Sequence, residues 1–103
     1  MLKLKPYICT RSYKLVNSNF ISYIENAITS DNYVLSGEIS VLWQFIVDNP
    51  NYSDVFDYAE EHNLQNILND FLSELKDNNI IDTDITLPKP KSNYLKFKVN
   101  RKN

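Results

Sequence analysis

Apolar and polar positions change their period along the chain, and the changes mark its elements. In the first third the period is two. Tyr7-Ile8-Cys9-Thr10 is rich in aromatic and β-branched residues, and Phe20, Ser22 and Ile24 alternate with Ile21 and Tyr23, which is a strand pattern. Asn17-Ser18-Asn19 supplies a turn between them, and the polar cluster Thr29-Ser30-Asp31-Asn32 precedes the short run Tyr33-Val34-Leu35. An antiparallel three-stranded meander is predicted. The period then becomes helical. Ile39, Leu42, Trp43 and Ile46 fall at i, i+3, i+4 and i+7, predicting a helix over roughly 37–48 with Ser36 as N-cap and Glu38 in its first turn. Asp48-Asn49-Pro50-Asn51 stops it. Ser53 is expected to cap a second helix, 54–62, with Val55, Phe56 and Ala59 apolar and Tyr52 packing back across its start. Leu64, Ile67, Leu68, Phe71, Leu72 and Leu75 form the clearest stripe, a third helix that Asp77-Asn78-Asn79 ends.

After Ile80-Ile81 the composition shifts. Leu87-Pro88-Lys89-Pro90-Lys91 reads as extended, and Tyr94-Leu95-Lys96-Phe97-Lys98-Val99 alternates, as a linker or as a strand that pairs on something. Residues 1–84 are therefore expected to form an α+β, winged helix-turn-helix-like domain: an N-terminal three-stranded antiparallel sheet followed by three helices. Residues 85–103 are expected to be a basic tail or linker.

The charge distribution supports that division. The net charge is −2, yet Lys3, Lys5, Arg11 and Lys14 make the first fourteen residues basic. All thirteen acids lie in residues 15–84 against the single base Lys76, and six bases with no acid follow Leu87. An acidic body thus lies between two basic ends. Such a body repels a nucleic-acid duplex, so no nucleic-acid partner is expected.

The remaining composition narrows the chemistry. At 103 residues, 43% hydrophobic and 23% charged, the chain has room for one globular domain. Cys9 is the sole cysteine, which rules out an internal disulfide and a cysteine-built zinc site, and a reducing cytoplasm fits best. No apolar run approaches a membrane span, and Met1-Leu2-Lys3-Leu4-Lys5-Pro6 lacks the apolar stretch of a signal peptide, so no membrane partner is expected. His62, in Glu60-Glu61-His62-Asn63, reads as a solvent-facing residue at a helix end. Gly37, the only glycine, cannot build a phosphate-cradling loop alone. Asp54 with Asp57, and Glu60 with Glu61, read as a solvated face, and Cys9 as a buried inert thiol. The chain is read as no enzyme, with no catalytic residues, no cofactor and no metal site.

The run Tyr33-Val34-Leu35-Ser36-Gly37-Glu38-Ile39-Ser40-Val41-Leu42-Trp43-Gln44-Phe45-Ile46 resembles the strand-to-helix junction of the PqqD-like precursor-peptide recognition domains of ribosomal peptide (RiPP) biosynthesis. Ser53-Asp54-Val55 and Phe71-Leu72-Ser73-Glu74-Leu75-Lys76-Asp77-Asn78-Asn79-Ile80-Ile81 extend the resemblance over roughly residues 7–82, with Asn79 where the family usually has glycine. The resemblance implies that a precursor's leader segment adds a strand to the sheet edge beside the third helix and is delivered to a modifying enzyme or leader peptidase. Mapped onto this chain, the peptide-binding residues are Tyr33, Val34 and Leu35 on the edge strand and Ile67, Asp70, Phe71 and Glu74 on the helix. Asp70 and Glu74 would present negative charge at the groove rim, favouring a leader with Lys or Arg. An open edge can equally pair two copies, so a homodimer through that edge stands beside the peptide.

The same residues have a plainer reading, because Ile67, Phe71 and Leu75 are what any core helix needs and Tyr33 and Leu35 can pack inward. Among functions, the main rival is a winged-helix DNA-binding transcriptional regulator whose third helix enters the major groove. Its exposed positions, Gln65, Asn66, Asn69, Asp70, Ser73, Glu74, Lys76 and Asp77, sum to −2 and offer little to hold phosphates. The sequence is also compatible with a small protein-interaction module, and with a recognition domain cut from a larger maturation enzyme.

Overall fold

A computed structural model describes residues 2–87, 89 and 94–98, the last three by their backbone. The chain runs β1 (Leu2–Leu4), β2 (Ile8–Lys14), β3 (Phe20–Asn26), β4 (Asn32–Ser36), α1 (Glu38–Asp48), α2 (Tyr52–Glu61), α3 (Gln65–Asp77), β5 (Ile81–Thr83) and β6 (Lys96–Lys98). The α+β class and the antiparallel meander followed by three helices are as expected. The sheet order is not: β6 extends the meander to β2-β3-β4-β6, and β1 pairs with β5 in a second, two-stranded sheet.

The meander is held by long registers and by polar turns. β2 and β3 pair from Ile8↔Asn26 to Lys14↔Phe20, and β3 and β4 pair from Ile21↔Ser36 to Glu25↔Asn32. Ser18 and Ser30 adopt positive φ at the two turns, 68° and 66°. In the second turn the buried Asn26 accepts from the backbone N–H groups of Ile28 and Thr29 through Oδ1, 2.9 and 3.1 Å. β2 runs to Lys14, beyond the expected 7–10: Arg11-Ser12-Tyr13-Lys14 continues the pairing with β3, opposite Tyr23, Ser22, Ile21 and Phe20. Cys9 is exposed there and not buried: residues 9, 11 and 13 share the strand's solvent face.

The other face of the sheet packs on α1, which buries Leu42, Trp43 and Ile46. A polar seam crosses this contact. Trp43 Nε1 donates to Thr10 Oγ1 at 2.8 Å, and Thr10 Oγ1 donates to the Tyr23 carbonyl at 2.8 Å. Ser12, Ser22 and Ser40 are linked Oγ to Oγ, 2.7 and 2.6 Å. Among the described residues no buried side-chain polar atom lacks a partner, so the seam fixes how sheet and helix meet without a desolvation penalty left over.

Helix ends depart from the expected caps. Gly37, not Ser36, precedes α1 with φ 70° and ψ −141°, a conformation open essentially only to glycine. Its N–H donates to the Phe20 carbonyl at 2.9 Å, so the residue turns β4 into α1 while holding β3. Asn51, not Ser53, caps α2, accepting from the Ser53 N–H at 2.9 Å. α2 and α3 end alike. Asn63 and Asn79 take φ 58° and 59°, and the following N–H groups return to the helices, Leu64 to the Ala59 carbonyl at 2.6 Å and Ile80 to the Leu75 carbonyl at 2.9 Å. Asn79 thus does the work of a glycine at this helix stop. α3 buries Leu68, Phe71, Leu72, Ser73, Glu74 and Leu75, and its apolar members join Ile24, Leu35, Leu42, Trp43, Ile46 and Ile80 in the core.

Candidate functional site

The outer edge of β4 is not bare. β6 lies antiparallel on it, with Asn32↔Lys98, Tyr33↔Phe97 and Val34↔Lys96. The chain just before β6 enters over α3. Tyr94 N–H donates to Glu74 Oε1 at 2.6 Å and Leu95 N–H donates to Glu74 Oε2 at 3.1 Å. One carboxylate therefore holds two successive backbone N–H groups, each a charge-assisted bond. Leu95 is buried at 7% exposure, and the Tyr94 ring meets Phe71 edge to face, centroids 6.0 Å apart at 87°.

The resulting groove has a strand wall, β4, and a helix wall, α3. Tyr33 couples the two walls electrostatically. It is buried, and burial raises its phenol pKa above the ordinary value, with the charges of Asp31 and then Glu74 adding to the rise. Tyr33 is therefore within electrostatic reach of the carboxylate that receives the Tyr94 and Leu95 N–H groups.

Of the seven residues expected to bind peptide, the structure brings Tyr33, Val34, Phe71 and Glu74 around the 94–98 segment. Leu35 is a core residue at 1% exposure, and the β4 to β6 register ends at Val34. Ile67 is half-buried and packs on the core, and Asp70 is half-buried one turn from Glu74. The expected acidic rim changes character, because Glu74 is 5% exposed and its oxygens receive backbone N–H groups. Ser73 is buried too, so neither it nor Glu74 lies on an exposed recognition face of α3. Asn32, Tyr94 and Leu95 join the site without having been expected there. The signal for the last two was the alternation of residues 94–99; the tail's partner had no signal in the sequence.

The other chemistry-bearing residues lie elsewhere. His62 is exposed at the end of α2, stacked on Tyr58 at 4.1 Å, with Nδ1 2.9 Å from the Tyr58 carbonyl. That carbonyl can only accept, so the bond requires the proton on Nδ1. Tyr58 in turn stacks on Phe45 at 4.3 Å. A depression of about 670 Å³ opens on the solvent face of the sheet, lined by Cys9, Arg11, Tyr13, Tyr23 and Glu25 among others. Tyr13 and Tyr23 meet there edge to face. Among the described residues no cluster of His, Cys, Asp and Glu is suited to a metal ion, and no helix is long and apolar enough to cross a membrane.

Comparison with known proteins adds one partial likeness. Residues 52–87 match the family model of the sporulation protein Cse60. That stretch comprises α2, α3 and β5, so it includes the helix wall of the groove and excludes its strand wall. No curated protein and no solved structure matches the chain.

Proposed function

We propose that the chain binds the leader segment of a ribosomally made precursor peptide by strand addition between β4 and α3, and delivers it to a modifying or processing enzyme. In this reading the meander and three helices are a winged-helix-like recognition domain with no catalytic group of its own. The observation that carries the proposal is the seating of β6. An extended segment lies antiparallel on β4 while Glu74 collects two of its N–H groups, a donor-acceptor pattern that a peptide strand also offers. Backbone bonds supply affinity for any extended chain; the Leu95 site and the Phe71 face supply preference for an apolar and an aromatic side chain. The sporulation likeness, carried over, would place such a peptide in spore-forming cells.

The test is titration of synthetic leader segments from candidate precursors into the isotope-labelled full chain. Amide shifts clustered at residues 32–34, 71–74 and 94–98 are expected. Shifts confined to residues 9–25 or to the His62 end of α2 would overturn the proposal.

A further inference from the structure

β6 occupies the site that a peptide would need. We propose that residues 94–98 are a built-in competitor of the groove, displaced only by an extended peptide that presents an aromatic residue followed by a leucine-like residue with both N–H groups free for Glu74. This deepens the peptide-binding reading and rests on it.

Three observations carry the inference. The seating is specific: both Glu74 oxygens, the Phe71 ring and a buried site for Leu95 are engaged by consecutive residues. The seating is also built in part of ladder bonds: among the described residues, Lys96, Phe97 and Lys98 pair with Val34, Tyr33 and Asn32. Such ladder bonds are ones that an incoming extended strand reproduces. Finally, the occupant is basic and tethered to an acidic body, with Lys89, Lys91, Lys96, Lys98, Arg101 and Lys102 after Leu87. A tethered segment acts at an effective concentration of order millimolar. A peptide with the same contacts then binds with its affinity reduced by the fraction of grooves standing open.

The probe is a labelled peptide of the sequence Ser92-Asn93-Tyr94-Leu95-Lys96-Phe97-Lys98-Val99, titrated by fluorescence anisotropy into the full chain. The chain is used as it stands, with Leu95→Asp, with Lys96→Pro and Phe97→Pro together, and with Leu95→Asp plus Glu74→Gln. Circular dichroism reports whether each folds. At least tenfold tighter binding to the Leu95→Asp and double-proline variants than to the unsubstituted chain is expected, with a tenfold loss when Glu74→Gln is added. Affinities within twofold of one another, or no binding to the folded variants, overturn the inference. The double-proline variant keeps Leu95 and decides the matter if Leu95→Asp fails to fold; if both fail, the segment is part of the core and the inference falls. The two readings fail separately. A leader bound equally by the unsubstituted and double-proline chains overturns competition alone. Leaders that fail on every variant, while the tail peptide binds the variants, overturn the leader reading alone.

Discussion

Glu74 is buried on α3 and carries a charge, two properties that conflict until its partners are seen. A buried carboxylate is costly unless hydrogen bonded, and the two N–H groups of Tyr94 and Leu95 meet that requirement. Hydrogen bonds to a charged group contribute roughly 1.5–3 kcal/mol each. Glu74→Gln keeps the shape but replaces one acceptor oxygen by a donor facing an N–H group. Amide exchange at Tyr94 and Leu95 should therefore quicken at least tenfold relative to the core amides of α3. Unchanged exchange at both would mean that the carboxylate does not hold the segment. The family resemblance marked Glu74 as a site residue but suggested a rim charge that selects basic side chains. Periodicity reports which face of a helix a residue occupies and nothing of what later covers that face.

At the scale of elements, local pattern carried far. The meander and the three helices follow from periods of two and 3.6, because each element satisfies its own backbone and buries one face. Caps were harder. Ser36 and Ser53 are good cap residues by type, yet Gly37 and Asn51 hold those places, since the path of the entering chain decides which residue stands at the junction. Gly37→Ala tests this at the β4 to α1 corner. No atom lies within 4 Å of the added Cβ, so only backbone strain enters, about 1–3 kcal/mol. In a domain of this size each 1 kcal/mol lowers Tm by roughly 4–8 °C, readable by calorimetry; an unchanged Tm would show that the corner relaxes. The pairing of β1 with β5 had no local signal, because Leu2–Leu4 and Ile81–Thr83 are three-residue strands far apart in the sequence. The partner of the alternating tail was illegible for the same reason: long-range pairing is decided by which edge remains open once the rest has folded.

For the whole molecule, charge and burial combine in its response to alkali. Tyr33 and Tyr58 both have pKa values raised by burial, Tyr58 further by the Glu38 charge. The folded state thus holds these protons more tightly than the unfolded chain. The associated stability is complete below the ordinary tyrosine value of about 10 and is lost as pH rises through the folded values. Melts from about pH 8 to 11 should show Tm falling above about pH 10, less steeply in Tyr33→Phe, and identical slopes would remove Tyr33 as a cause. The acidic body between basic ends, visible in composition, acquires a structural meaning at this scale, because part of one basic end lies on the body.

The seam between sheet and α1 has a further use. Trp43 is the only tryptophan, it is fully buried, and its indole is fixed by one bond to Thr10, while the groove contacts among the described residues run through Glu74, Phe71, Tyr94 and Leu95. Its emission is a native gauge of the fold's integrity that needs no attached dye. A ligand that fills the groove should leave the emission maximum where it is, and a variant that loosens the sheet should shift it to the red. Occupancy and unfolding, which a binding curve alone confuses, can thus be read at separate wavelengths in one cuvette.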